Sequence, residues 1–259
     1  MSNVPLEATW GRMTEDIRSF ENLEHAVQLA NTRFGSDVYW RGHGNAAWNL
    51  RPHVFRDPRY HEISLLIRFT LGAPARMPNP PPSADLFAWL QYAQHYGLPT
   101  RLLDWSASPL IALYFAVCNV EHDDEDGCIW ALNPSGLNKQ HRNQYTLLMP
   151  SHPDVMVLVQ QAFGQVAPYD GAASRRALAV TGHLIDLRML VQQAQFTIHS
   201  EGTDLRDLPS VDWLLYQWHI PKGSKGFLRS WLRRWGVTKG TVYPDLGAFA
   251  EELGQLPSP

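Results

Sequence analysis

The longest uninterrupted apolar run in the chain, Leu110 to Cys118, is nine residues, under half of the roughly 20 that a helix needs to cross a bilayer. Ser108 and Pro109 stand ahead of it as an N-cap and a first-turn proline, so it reads as an internal helix over 109–119. The 259 residues are 44% hydrophobic and 18% charged, enough to bury one large core or two small ones and too apolar for intrinsic disorder. Twenty-two basic against 25 acidic residues leave a net charge of −3, so no overall field draws the chain to a phosphate backbone or an anionic membrane, and only a local basic groove stays open. Aromatic and imidazole groups are abundant instead, with 10 Trp, 9 Tyr, 10 Phe and 11 His.

Met1 to Glu7 hold neither a basic nor an apolar leader region, which makes the cytoplasm the expected location. Cys118 and Cys128 form neither a disulfide framework nor a zinc spacing and are expected as buried thiols. Apolar periodicity and end signals predict helices over 21–33, 58–71, 83–97, 109–119, 154–163, 224–235 and 244–253. β-branched and aromatic runs predict strands over 37–42, 128–132, 177–180, 194–199 and 213–219. The prolines between Ala73 and Pro82 predict a surface crossing. Helices and strands mix without βαβ alternation, which favours an α+β class.

Three segments carry polar groups in positions that suit chemistry. Arg41 and Gly42 sit at the end of the first predicted strand, with Gly44 just beyond. A guanidinium there suits a bidentate clamp on phosphate or carboxylate, with glycine backbone close to the ligand; it equally suits a buried aspartate above a glycine turn. Arg51 is placed to join either. The segment from Gln94 to Ser108 packs His95, Arg101, Asp104, Ser106 and Ser108 into a predicted loop between two helices. Catalysis and scaffold both fit it, the scaffold version pairing Arg101 with Asp104 and using the serines as caps. Gln193 and Gln195 alternate into a predicted strand, where inward-facing amides need either a hydrogen-bond network or a ligand.

P-loop, dinucleotide, zinc-protease, nucleophile-elbow and Cys-x-x-Cys motifs are missing, so no metal is expected. A basic segment from Lys222 to Arg234 reads as a solvated helix face or a nucleic-acid contact.

Trp40-Arg41-Gly42, with Trp in place of Phe, resembles the tripeptide for which the FRG family is named. The run from Gln94 to Trp105, continuing through Ser108-Pro109-Leu110 to Ala116, resembles that family's longest motif. Gln192 to Thr197 is similar to a third, with Ala194 where glycine is expected, and Ile220-Pro221 and Tyr243 to Leu246 resemble the family's tail. The resemblance spans about residues 20–253 and implies a single domain over 19–254, an N-terminal extension over 1–18 and a tail over 255–259.

The motif order in turn resembles the ADP-ribosyltransferase superfamily, which implies a split β core with surrounding helices and NAD as substrate. On that resemblance Arg41, Gly42, Tyr96, Arg101, Asp104, Ser106 and Ser108 would bind NAD, and Gln193, Gln195 and His95 would act in transfer. Two departures stand out: glutamine replaces the usual glutamate, and Ser106-Ala107-Ser108 precedes a helix start. The implied activity is ADP-ribose transfer to a nucleic acid (DNA or RNA) or protein acceptor, as a bacterial toxin or phage-defence effector without membrane attachment. Two alternatives stand beside it: a non-catalytic nucleotide or nucleic-acid sensor, and a metal-independent ribonuclease using Asp104, His95 and Arg101. Trp40, His95, Tyr96 and Trp105 are expected as pocket wall, and Trp213, Trp218, Trp231 and Trp235 as core.

Overall fold

The computed structural model describes residues 11–12, 15–142, 146–167, 176–209 and 211–254. Residues 1–10 of the expected extension and the expected tail over 255–259 lie outside the described residues.

The periodic segments become helices. α1 (Phe20–Phe34) starts at a capping box made by Ser19 and Asn22 and buries Leu23, Ala26 and Ala30 at helical spacing. α2 (Glu62–Gly72) and α3 (Leu86–His95) follow. α4 (Pro109–Val117) is capped by Ser108, whose side chain accepts from Ile111 N–H, and is buried on nearly every side. α5 (Pro134–Arg142), α6 (Pro153–Ala162), α7 (Leu187–Val191), α8 (Lys222–Arg234), α9 (Lys239–Val242) and α10 (Leu246–Gly254) complete the helical set. The α+β expectation holds.

Among the described residues seven strands form one sheet: β1 (Gly11–Arg12), β2 (Tyr39–His43), β3 (Leu102–Ser106), β4 (Gly127–Leu132), β5 (Ala177–Thr181), β6 (Ala194–His199) and β7 (Leu215–Ile220). Their order is β1-β7-β4-β2-β3-β6-β5, antiparallel except for the β1–β7 edge. Gly11–Arg12 therefore joins the sheet, and Ile17 is fully buried with its N–H on His219 O, so these described residues of the expected extension pack with the rest of the fold.

Between the two halves of the sheet lies a seam. β2 pairs with β4 through five residues and β3 with β6 through five, but β2 and β3 share only Trp40↔Ser106. Directly opposed residues point to the same face, so Trp40, Ser106 and Asp104 look out on one side. One apolar cluster on that side joins β2, β4 and β7 to α1, α4 and α8. Another joins β3, β5 and β6 to α3 and α6. Where the strands part, a gap opens between the two clusters. The opposite face is closed by a third cluster around Trp105, Trp130, Leu137 and Leu214.

The segment 94–108, expected as a loop, contains β3 at the centre of the sheet. Leu102, Leu103 and Trp105 are buried on both faces, as a central strand requires; Asp104 and Ser106 interrupt the run and disguise it. Among the described residues no helix is long and apolar enough to cross a membrane.

Candidate functional site

A cavity of about 330 Å³ occupies the gap, within the ordinary range for a small-molecule site. Its walls come from both sides of the seam: Arg41, Gly42 and His43 on β2, Asp104 and Ser106 on β3, Ala194 and Phe196 on β6, and Ile111, Ala112 and Phe115 on α4. Gln94 and His95 close one end from α3, Arg188 and Gln192 close another beside α7, and Trp48 and Arg56 stand at the mouth.

Among the described residues no carboxylate meets the Arg41 guanidinium. Its Nε donates to His43 Nε2 at 3.0 Å and its Nη1 to the backbone oxygen of Asp104, which ties β2 to β3 across the opened seam. Burial lowers the guanidinium to about 10, with the charge of Asp104 opposing, so it stays cationic at neutral pH. Burial first, and then the charges of Arg41, Arg56 and Arg206, push His43 well below the ordinary imidazole value. His43 is neutral, which is the form that lets Nε2 accept from Arg41.

Two more guanidinium groups face the same space. Arg56 donates to Arg51 O at 2.9 Å, and burial lowers it too. Arg188 lies 4.7 Å from the Tyr243 ring centroid, reaches His95 O at 3.5 Å, and has a buried Nε without a partner. Against these three cations the described lining residues hold one carboxylate, Asp104. Asp104 accepts from Gln94 Nε2 at 2.8 Å, and Gln94 is held in turn by Thr100 Oγ1 at 2.6 Å. The charge balance selects an anionic ligand.

His95 forms a pair with Asp186, Nε2 to Oδ2 at 2.8 Å, while the other oxygen of Asp186 caps α7 at Met189 N–H. Burial lowers the imidazole, Asp186 opposes and Arg188 adds to the lowering. A neutral ring that donates from Nε2 to a carboxylate keeps Nδ1 as a free acceptor.

Several residues singled out in the sequence fall elsewhere. Arg101 leaves the cleft altogether: Nε and Nη2 donate to Glu62 Oε2 at 2.9 and 2.8 Å, and Nη1 reaches Leu158 O at 3.1 Å. Its expected partner, Asp104, is held by Gln94 instead. Ser106 lines the cleft, but its Oγ donates to Gln192 O at 2.7 Å and accepts from Ser108 N–H at 2.9 Å, and Ser108 is the α4 cap. Together they fix the β3–α4 turn. Gly42 does line the cavity, yet the backbone that comes close is α4: a Cβ there would lie 1.8 Å from Ala112 O. Tyr96 points away into a neighbouring groove.

Neither expected glutamine faces the cleft. Gln193 is exposed at φ 47°, the one non-glycine residue with positive φ among those described, and so occupies the conformation expected of a glycine one residue later. Gln195 points to the opposite face, its Oε1 buried without a partner, because strand alternation gives the cleft Ala194 and Phe196. The glutamine that does face it is Gln192, anchored through Nε2 to Val242 O at 3.0 Å. His43, Trp48, Arg56, Gln94, Phe115, Arg188 and Gln192 were missed as site residues. Gln94 and Gln192 stand inside the motifs that resemble the family's, whereas Arg56 and Arg188 carry no local signal.

Of the aromatic wall, Trp40, His95 and Trp105 line the cavity, the last with its indole turned to the other face to donate to Thr197 Oγ1 at 3.1 Å. Trp218 is core as expected, but Trp235 is 69% exposed, packed on Trp231 at a centroid distance of 5.7 Å. Among the described residues no group of three or more His, Cys, Asp or Glu side chains is placed to hold a metal ion.

Residues 36–125 match the family model of the FRG domain. The match covers both the Trp40–Gly42 tripeptide and the motif from Gln94 to Ala116, and over that stretch the resemblance is borne out. Neither the curated proteins nor the solved structures returned a match to this chain.

Proposed function

We propose that the cleft binds NAD, through its phosphates and one planar ring, and that the chain is an ADP-ribosyltransferase-like enzyme. One observation carries the reading: among the described lining residues Arg41, Arg56 and Arg188 converge with a single carboxylate, Asp104, on an aromatic-walled cavity where β2 and β3 share one paired position. The guanidinium groups take the diphosphate, Arg41 with its fork steadied by His43. Phe115, half-buried at the cleft wall, offers flat apolar surface to the nicotinamide ring.

The bond between C1′ of the ribose and the ring nitrogen breaks, and its electron pair leaves with neutral nicotinamide. Positive charge builds on the ribose, where the Asp104 carboxylate, held by Gln94, stabilises it. The acceptor's nucleophile then bonds to C1′, and its proton passes to Nδ1 of His95, which Asp186 holds in the accepting tautomer. In this assignment Asp104 takes the part that the resemblance gave to Gln193 or Gln195.

A second reading, binding without turnover, is favoured by the side chains that β6 presents, Ala194 and Phe196, neither of which carries a negative charge to set against a developing cation. Purified protein incubated with NAD labelled on either half separates the two. Nicotinamide release and label transfer, both lost in Arg41→Ala, are expected for the enzyme. Calorimetric binding of NAD with neither product supports the second reading, and no binding refutes both.

A further inference from the structure

A second groove lies beside the cleft, on α2 and the chain that follows it. Its volume is about 500 Å³, and Arg68, Phe69, Arg76, Met77 and Tyr96 line it. Tyr96 is 65% exposed, yet its ring is supported from below by Phe69 at a centroid distance of 6.5 Å, and Phe69 meets Trp89 edge-on at 6.3 Å. Trp89 in turn donates to Pro82 O at 3.1 Å, so the platform is braced by the proline segment. The result is a fixed aromatic face open to solvent.

The charge of the groove is of one sign. Arg68 and Arg76 are both exposed, Arg76 being steadied by Gly72 O at 2.6 Å, and no carboxylate stands among the described lining residues. In a chain with net charge −3, such a patch is local. Tyr96 also follows His95 directly, and their rings meet edge-on at 5.0 Å. His95 walls the cleft and Tyr96 walls the groove, so the two spaces share this pair.

We propose that the groove binds a single-stranded nucleic acid and presents one of its nucleotides to the cleft as the acceptor. The inference rests on the transfer reading above and names its acceptor class. An exposed ring braced from beneath stacks with any unpaired base, and flanking guanidinium groups take the adjoining phosphates. A duplex keeps its bases paired and offers no face to Tyr96, so the groove selects single strands. In the transfer step a base or ribose N–H or O–H of the strand loses its proton to His95 Nδ1 while its heteroatom bonds to C1′ of the ADP-ribose and nicotinamide leaves.

Fluorescence anisotropy with labelled strands of about 12 nucleotides, DNA and RNA, single and annealed, tests this on the full chain. Single strands should bind at least tenfold more tightly than duplexes. Tyr96→Ala should weaken binding by about 5- to 100-fold, and Tyr96→Phe, which keeps the ring, should retain it. Arg68→Glu with Arg76→Glu should weaken it further and flatten its dependence on salt. All three positions lie at the surface, so melting temperatures should stay near the wild-type value and exclude unfolding as the cause.

Equal affinity in the wild type and these variants, or no binding at all, overturns the proposal. Tyr96-dependent binding without any NAD turnover removes the transferase reading and leaves the strand-binding groove standing. Turnover that labels protein and leaves the bound strand unlabelled removes the acceptor assignment instead.

Discussion

Arg41 lies in β2 and Arg101 immediately ahead of β3, on the two sides of the central seam, and the molecule treats them in opposite ways. Arg101 is neutralised: Glu62 takes two of its guanidinium nitrogens and its backbone N–H, and Leu158 and Gln161 take a third nitrogen. Arg41 has only a neutral imidazole and a backbone oxygen. A buried cation with an internal counter-ion serves the fold, whereas one without it is free to meet a ligand's charge. The type of residue and the motif around it do not separate the two cases; the partner does.

The comparison breaks if the two arginines prove interchangeable in mutants. The largest effect is expected at Glu62→Ala, which strands the Arg101 charge in the core and should cost about 3–5 kcal/mol of stability, read as a lower urea midpoint with an unchanged slope. Arg41→Ala should behave inversely. It removes a cation that has no counter-ion, so thermal stability should hold within about 1 kcal/mol, while affinity for NAD falls about 10- to 100-fold, as for a lost charge-assisted hydrogen bond. Arg41→Lys should recover part of that affinity, because an ammonium keeps the charge and loses the planar fork.

Acid should sharpen the contrast. His199 donates its backbone N–H to Arg101 O, and burial lowers its imidazole to about 3. Because the folded value lies below the unfolded one, the unfolded chain binds the extra proton. Stability is then lost as pH falls from about 6.5 toward 3, by up to about 1.4 kcal/mol per pH unit for this residue. Denaturation midpoints measured between pH 7 and 4 test this, and His199→Gln should flatten the slope. On the cleft side His95 must be unprotonated to accept a proton, and burial lowers its imidazole from the ordinary value, so transfer should hold through the ordinary imidazole range and decline only at more acid pH, and Asp186→Asn should change the pH profile of kcat.

The smallest effects discriminate among the glutamines. Gln192→Ala should weaken NAD binding about 3- to 10-fold, the worth of one neutral hydrogen bond. Gln193→Ala should change neither affinity nor stability by more than about 0.5 kcal/mol, and Gln193→Gly should stabilise the chain by about 1 kcal/mol by relieving the positive φ. Equal losses at Gln192 and Gln193 would mean that β6 meets the ligand in a register shifted by one residue.

Where local physics decided, the sequence was legible. Ser19 and Ser108 start α1 and α4 as caps because their side chains reach the orphan N–H groups of the next turn. The alternation over 194–199 became β6 within its expected bounds. β3 was read as a loop because its polar Asp104 and Ser106 belong to a cavity floor, and a strand that faces a cavity loses the continuous apolar pattern of a buried one. α5, α7 and α9, also unread, are short or polar and rest on tertiary contacts rather than on an apolar stripe.

What the sequence determined alone was the class of fold, the ends of most long helices, and the two motifs in which Arg41, His95 and Asp104 stand. Only the tertiary structure decided which of these side chains meet. Glu62 reaches Arg101 across 39 residues, and Arg41 reaches the Asp104 backbone across 63. A charge is compensated through space, within a few ångströms and at no fixed spacing along the chain. Whether an arginine is scaffold or site is therefore settled when the strands pair, and not before.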